Sequence, residues 1–324
     1  MLGACDHDAY EPQYWVYCFL VTPERSDAGR RQSGPVLREL RKSDAKEVAE
    51  LFRVAFGDAR PMDAQEVVRW FDNSELNSEW LRVLEHEGRI VGYGDILIQN
   101  NEVVLDLAAP EHEDAFFGWA KNEARLARAS QVRVFAPAGH ELEQQLERNE
   151  YRLWRSSYTM EVELSHLAPE ACRMPPGIEL RYYESGDAEP LRAAINEVFV
   201  DDPFFVEAST SHFREFYLRA RGFDSSLWLL ACDREELAGF ALAFAERVGE
   251  PGLGWIHSLG VKKPWRRRGL GEALLRAAFR DLHARGLRRI GLGVDAENEA
   301  GALRLYERVG MRVVRQSNKW VLRL

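Results

Sequence analysis

The chain is poor in cysteine. Cys5, Cys18, Cys172 and Cys232 are its only four in 324 residues. No two stand as Cys-x-x-Cys and none is clustered with histidine. A disulfide framework and a structural zinc site are therefore excluded as organising devices, and free thiols in a reducing cytoplasm are expected. The chain also lacks an uninterrupted apolar run of about 18 residues, so no membrane span is expected. The short apolar stretch Tyr14–Val21 follows Asp6, Asp8 and Glu11, and has neither the basic start nor the small-residue cleavage site of a secretory leader. A basic excess is missing too: 43 Lys and Arg face 52 Asp and Glu, a net charge of −9. That balance argues against a nucleic-acid partner.

What remains is an ordinary globular composition, 46% hydrophobic and 29% charged. The length suits two domains of about 150 residues each. Residues 1–34 read as a flexible N-terminal extension, because Thr22–Pro35 is polar and rich in Arg, Ser and Gly. Folded domains are expected over 35–168 and 177–324.

These two stretches follow one plan. Leu37-Arg38-Glu39-Leu40 precedes Ser43-Asp44 and an amphipathic segment to Phe56; Ile178-Glu179-Leu180-Arg181 precedes Gly186-Asp187 and a similar segment to Phe199. Asp44 and Asp187 are candidate helix N-caps. A hairpin follows in each, Trp80–Leu84 with Ile90–Ile98 and Leu227–Ala231 with Leu237–Ala245, with Gly92 and Gly239 in the same place. Glu147-Arg148 parallels Glu307-Arg308, and Arg155 and Ser157 parallel Arg315 and Ser317. This is an internal duplication. Each copy reads strand, helix, helix, hairpin, strand, helix, strand, helix, strand, which predicts an α/β fold with helices on a mixed central sheet.

The second copy carries the chemistry. An apolar strand, Trp255–Val261, leads through Lys262-Lys263-Pro264-Trp265 into Arg266-Arg267-Arg268-Gly269-Leu270-Gly271. A helix follows at once, with apolar residues at 274, 275, 278, 279 and 282 and Gly286 at its end. The first turn of a helix offers unpaired N–H groups and a positive dipole end. Glycine lets an anion approach the backbone, so strand, Arg/Gly loop and helix start together form a pyrophosphate cradle. A Walker loop would need Lys-Ser/Thr after Gly271, where Glu272-Ala273 stand. A dinucleotide fingerprint would need glycine at Leu274. Downstream lie a strand, Ile290–Val294, then Asn298, and a helix, Glu299–Val309, that ends at Gly310.

Leu259-Gly260-Val261, Arg266-x-x-Gly269-x-Gly271, Asn298 and Leu305-Tyr306-Glu307-Arg308-x-Gly310-Met311, in this order, resemble the GNAT superfamily of N-acetyltransferases. The resemblance covers about 145 residues of the second copy. The tandem layout is similar to that of mycothiol synthase and related actinobacterial two-domain acetyltransferases. It implies two tandem GNAT-like domains and acetyl-CoA as co-substrate. By the same resemblance the main chain of Leu259, Gly260 and Val261 would bind the pantetheine arm. The backbone of Arg267, Arg268, Gly269, Leu270 and Gly271, aided by the Arg266 and Arg268 charges, would hold the pyrophosphate. Asn298 would contact the cofactor or cap the next helix, and Tyr306 would protonate the departing thiolate. The attacking amine must be neutral, so a base is expected. Glu246 and His257 are the candidates, since Gly293 occupies the strand position where some family members carry a glutamate. Asp201, Asp202, Phe204 and Phe205 would border the acceptor.

The first copy has no such loop. Val103–Asp114 holds no arginine and no Gly-x-Gly, and Glu111, Glu113 and Asp114 would repel a pyrophosphate. Leu146 stands where the second copy has Tyr306. The expected activity is transfer of an acetyl group to a primary amine of a small molecule in the cytoplasm, without a metal. A protein or peptide amine as acceptor, and a non-catalytic acyl-CoA-binding module, are the alternatives.

Overall fold

The computed structural model describes residues 34–164, 173–201, 205–297 and 301–324. The expected extension, apart from Gly34, lies outside the described residues. The first sequence copy forms β1 (Val36–Glu39), α1 (Ala45–Phe56), α2 (Ala64–Trp70), β2 (Leu81–His86), β3 (Arg89–Gln99), β4 (Glu102–Ala108), α3 (Glu113–Leu126), β5 (Gln131–Pro137), α4 (Glu141–Arg148) and β6 (Arg152–Glu163). The second forms β7 (Ile178–Tyr182), α5 (Ala188–Phe199), α6 (Thr210–Phe213), β8 (Trp228–Asp233), β9 (Glu236–Phe244), β10 (Leu253–Val261), α7 (Leu270–Ala284), β11 (Arg289–Asp295), α8 (Ala302–Arg308) and β12 (Arg312–Arg323). A single π turn, Arg214–Leu218, continues α6.

The order of elements is the one expected twice over. Local details repeat as well. Arg38 grips Asp44 at 2.7 Å and Arg181 grips Asp187 at 2.6 Å. Each aspartate also accepts a main-chain N–H three residues back, from Arg41 and from Glu184, both at 2.8 Å. The expectation of N-caps is corrected here: neither side chain caps its helix. Both carboxylates turn back to tie the helix start to the preceding strand, where an arginine offers a stronger, charge-assisted bond than a helix N–H does.

The chain divides into two compact units, which do not coincide with the sequence copies. One unit holds residues 34–154 together with 318–324. Its sheet runs β1-β2-β3-β4-β5 and then the end of β12. Leu324 N–H donates to the Ser130 carbonyl at 2.9 Å, and Trp320 joins the core that also holds Phe117, Leu142 and Leu146. The other unit holds residues 155–317, with strand order β6-β11-β10-β9-β8-β7. Here β6 pairs antiparallel with β11 from Ser157 to Glu163, and Met160 and Val162 join the core. Each sheet is mixed, with one parallel pair, β4/β5 or β10/β11. The helix α7 buries Leu274, Leu275, Ala278, Phe279 and Leu282, the stripe legible in the sequence.

Candidate functional site

The parallel pair of the second unit is short. β10 and β11 are in register only from Leu253/Arg289 to Ile256/Leu292. Beyond that rung β10 stays paired with β9 as far as Val261, while β11 stays with β6 as far as Asp295. The sheet therefore forks, and one edge of Leu259-Gly260-Val261 is left without a strand partner. Main-chain polar groups at such an edge call for hydrogen bonds. An extended amide-bearing chain laid along the fork would supply them. Part of this demand is met internally, since Arg266 Nε donates to the Val261 carbonyl at 2.9 Å.

The loop from the fork into α7 is held from below. Trp265 is buried and its Nε1 donates to Asp233 at 3.0 Å. Lys262 pairs with Glu197 at 2.8 Å, and Lys263 with Asp201 at 2.8 Å. Asp201 thus meets a loop lysine, and this contact lowers its carboxyl from the ordinary value. Arg267 and Arg268 are exposed, and Arg267 takes a left-handed φ of +60°. Gly269, the residue before α7, has φ +81° and ψ 1°, a conformation that costs a residue with a Cβ about 1–2 kcal/mol. No side chain caps this helix start. The N–H groups of Leu270, Gly271 and Glu272 therefore point outward from a positive dipole end. The residues fit a pyrophosphate: a turn only glycine adopts freely, a bare helix start, and two exposed guanidinium groups. Leu270 contributes backbone only, because its side chain is buried under α7.

Tyr306 lies on α8 and is 5% exposed, within the core that also holds Val261, Leu270 and Leu274. Leu305 beside it approaches Gly271. Glu272 holds Arg276 at 3.0 Å and faces Arg308 at 3.6 Å, linking α7 and α8. The described part of the expected final helix begins at Ala302, after Gly301 with φ +82°. Asn298, Asp202 and Phe204 lie outside the described residues.

The other wall comes from β10 itself. A bulge between Ile256 and Ser258 sets His257 out of register with β9. Its ring meets Tyr217 edge-on at 4.9 Å and Phe244 at 5.2 Å. Tyr217 is carried there by the π turn, whose Phe216 lies against buried His212 of α6 at 4.5 Å. Single π turns recur at functional positions because they re-aim a helix face. Burial, and then the neighbouring His212, push the His257 imidazole down to about 4. It is neutral at pH 7. Glu246 pairs with Arg221 at 3.0 Å, at the end of β9 and two residues beyond Phe244. Phe205 is partly buried against the core. The sequence offered His257 and Glu246 as candidates; Tyr217, His212 and Arg221, which the fold brings to them, it did not single out. A π turn leaves no periodic trace, and Arg221 sits in an irregular stretch.

In the first unit the fork persists and its chemistry changes. β4 and β5 pair only from Glu102/Gln131 to Leu105/Val134. The next residue, Asp106, is held by Arg60 with both oxygens at 2.7 Å, and faces Asp95 across the β3/β4 ladder. Tyr93 Oη donates to Asp95 at 2.8 Å. Burial, and then Asp106, raise the Asp95 carboxyl well above its ordinary value. Carboxyl groups thus stand at this fork and, as Glu113 and Asp114, in the first turn of α3, in place of an Arg/Gly loop. Among the described residues no group of three or more His, Cys, Asp or Glu is placed to hold a metal ion, and no helix is long and apolar enough to cross a membrane.

Comparison with known proteins bears on this geometry. Residues 192–311 match the profile of the Acetyltransferase (GNAT) family. The mycothiol acetyltransferase of Streptomyces scabiei is 31% identical over 231 residues, 68% of this chain and 72% of that protein. Its counterpart in Salinispora tropica is 30% identical over 285 residues, 82% and 90% of the two chains. Among solved structures, a GCN5-related N-acetyltransferase from Sphaerobacter thermophilus superposes with a TM-score of 0.72 at 26% identity, covering 89% of this chain and 95% of its own. A tandem GNAT protein from the clavulanic acid biosynthesis pathway reaches 0.68 at 15% identity, covering 89% and 98%, and shares the fold.

Proposed function

Because the chain belongs to the GNAT acetyltransferase family and is an N-acetyltransferase, we propose that residues 177–324 hold the working site and move an acetyl group to a primary amine of a small molecule. The forked sheet beside an uncapped, glycine-led helix start is the observation that carries this reading. Acetyl-CoA supplies an activated acetyl thioester. The fork edge at Leu259, Gly260 and Val261 hydrogen-bonds its pantetheine arm. The N–H groups from Arg267 to Gly271 take the pyrophosphate, with the Arg267 and Arg268 charges around them.

The remaining roles concern protons. Tyr306 Oη gives a proton to the departing sulfur; a phenol near pH 10 is a competent donor to a thiolate. His257 is too weak a base to strip an alkylammonium alone. Moving a proton from a group near 10.4 to one near 4 is uphill by roughly 8–9 kcal/mol. It acts instead as a neutral acceptor that orients the N–H of an amine arriving deprotonated. Glu246, two residues beyond Phe244 and paired with Arg221, is the remaining candidate for the group that takes the ammonium proton. The first copy, 35–168, with acid at its own fork, supports the fold and binds no coenzyme A. The mycothiol acetyltransferases among the relatives favour a small-molecule acceptor over a protein one.

The test joins calorimetric titration of acetyl-CoA with release of free thiol in the presence of an amine library. One site, lost in the Gly269→Ala/Gly271→Ala double variant, together with amine-dependent thiol release, is the expected result. Binding without turnover on any amine would favour an acyl-CoA-binding module. No binding by folded protein would overturn the reading.

A further inference from the structure

Trp255 stands one rung behind the fork. It pairs with Gly291 on β11, and the next rung, Ile256/Leu292, is the last before the strands part. On its other side Trp255 is in register with Phe244, whose ring touches His257. Residues in register on neighbouring strands share a sheet face, so the indole lies on the face that carries the His257 wall.

The indole is fixed from both sides. A Cβ at residue 291 would lie 2.8 Å from indole Cζ3 and 3.1 Å from Cε3, so only glycine admits the ring there. Against the ring, the Arg247 guanidinium stacks at 4.3 Å from the centroid. Arg247 is held by Glu250 at 2.9 Å. Glu250 in turn takes Arg315 at 2.8 Å, and Arg315 faces Glu161 at 3.6 Å. Glu161 binds Arg289 at 2.8 Å. A chain of five alternating charges thus clamps one tryptophan that is 8% exposed. With Gly291 against its Cζ3 and Cε3 and Arg247 over the ring, the indole is covered and offers little surface for a ligand to stack on. What it does is occupy the sheet face behind the fork.

We propose that Trp255, clamped between Gly291 and Arg247, is a specificity wall that stops an acceptor from extending over β10 and β11 and so restricts the site to compact amines. This inference rests on the acetyl-transfer reading above. An acceptor on the His257 face that extended back along the strands would have to displace the indole and the Arg247 that covers it, so a substituent in that direction has no room. A smaller residue at 255 beside Gly291 opens that space, because glycine brings no side chain to refill it.

The test uses bisubstrate conjugates in which coenzyme A sulfur is joined through an acetamide to an alkyl group, from methyl to octyl. Binding to the full chain is read by calorimetry. The coenzyme part anchors every member, so the natural acceptor need not be known. In the unaltered protein affinity is expected to fall at least tenfold from methyl to octyl. In Trp255→Ala the fall disappears, while acetyl-CoA itself binds as before. Trp255→Phe, which keeps the strand packed, gives an intermediate profile and serves if the alanine variant fails to fold. A flat profile in the unaltered protein, or the same fall in the variants, would overturn the wall. Failure of acetyl-CoA and of every conjugate to bind would instead overturn the acetyltransferase reading beneath it.

Discussion

Trp320 lies four residues from the end of the chain, in the second sequence copy, yet it packs in the unit formed mainly by residues 34–154. It is 5% exposed within that unit's core, and its Nε1 donates to Glu143 Oε1 at 3.3 Å. Replacing it by alanine removes nearly a whole indole from a packed interior. Such truncations cost about 3–5 kcal/mol, and the lost hydrogen bond adds about 0.5–1 kcal/mol. Against a domain stability of about 5–15 kcal/mol, this raises the unfolded fraction of that unit by roughly a thousandfold. For a unit of this size the melting midpoint falls by roughly 13–22 °C. Hydrogen exchange resolved by peptide is the decisive assay for Trp320→Ala. Protection should be lost across β3, β4, β5 and α3, hundreds of residues away in sequence, and retained in β8, β9 and α7. If exchange instead accelerated first in β8–α7, or the cost fell below about 1 kcal/mol, the assignment of residues 318–324 to the first unit would be wrong.

Other perturbations address the site and the charges. Tyr306→Phe should lower turnover about a hundredfold and leave acetyl-CoA affinity unchanged; a variant as fast as the parent would remove the tyrosine from proton transfer. Arg267→Glu with Arg268→Glu should weaken acetyl-CoA and flatten the dependence of its affinity on salt, and an unchanged titration would place the pyrophosphate elsewhere. Asp95 has a folded-state carboxyl raised well above 3.8, so the folded unit binds more protons than the unfolded chain there. Stability from this group is full at low pH and is lost as pH climbs from about 3.8 through the raised value. Asp95→Asn should remove that downward slope in urea midpoints measured from pH 4 upward; an unaltered slope would show that another group titrates.

Much of this was legible before any coordinates. The buried stripe of α7 shows as a 3.6-residue period, and the Arg/Gly loop is a contiguous string, so both are local and written in order. Contiguity also explains why Gly269 and Tyr306 could be singled out by number. On the acceptor side, Asp201 was expected to border the acceptor, and its pairing with Lys263 is a fold contact across 62 positions that no local pattern announces.

By itself, then, the sequence determined the duplication, the α/β order of elements, the Arg/Gly loop and its absence from the first copy. These depend on periodicity and on neighbours along the chain. Only the tertiary structure decided where the sheet forks, that Trp255 is locked over Gly291, and that residues 318–324 complete the first unit. Each of these is a pairing between strands distant in sequence, and strand register is set by side chains meeting across the sheet, which no local pattern records.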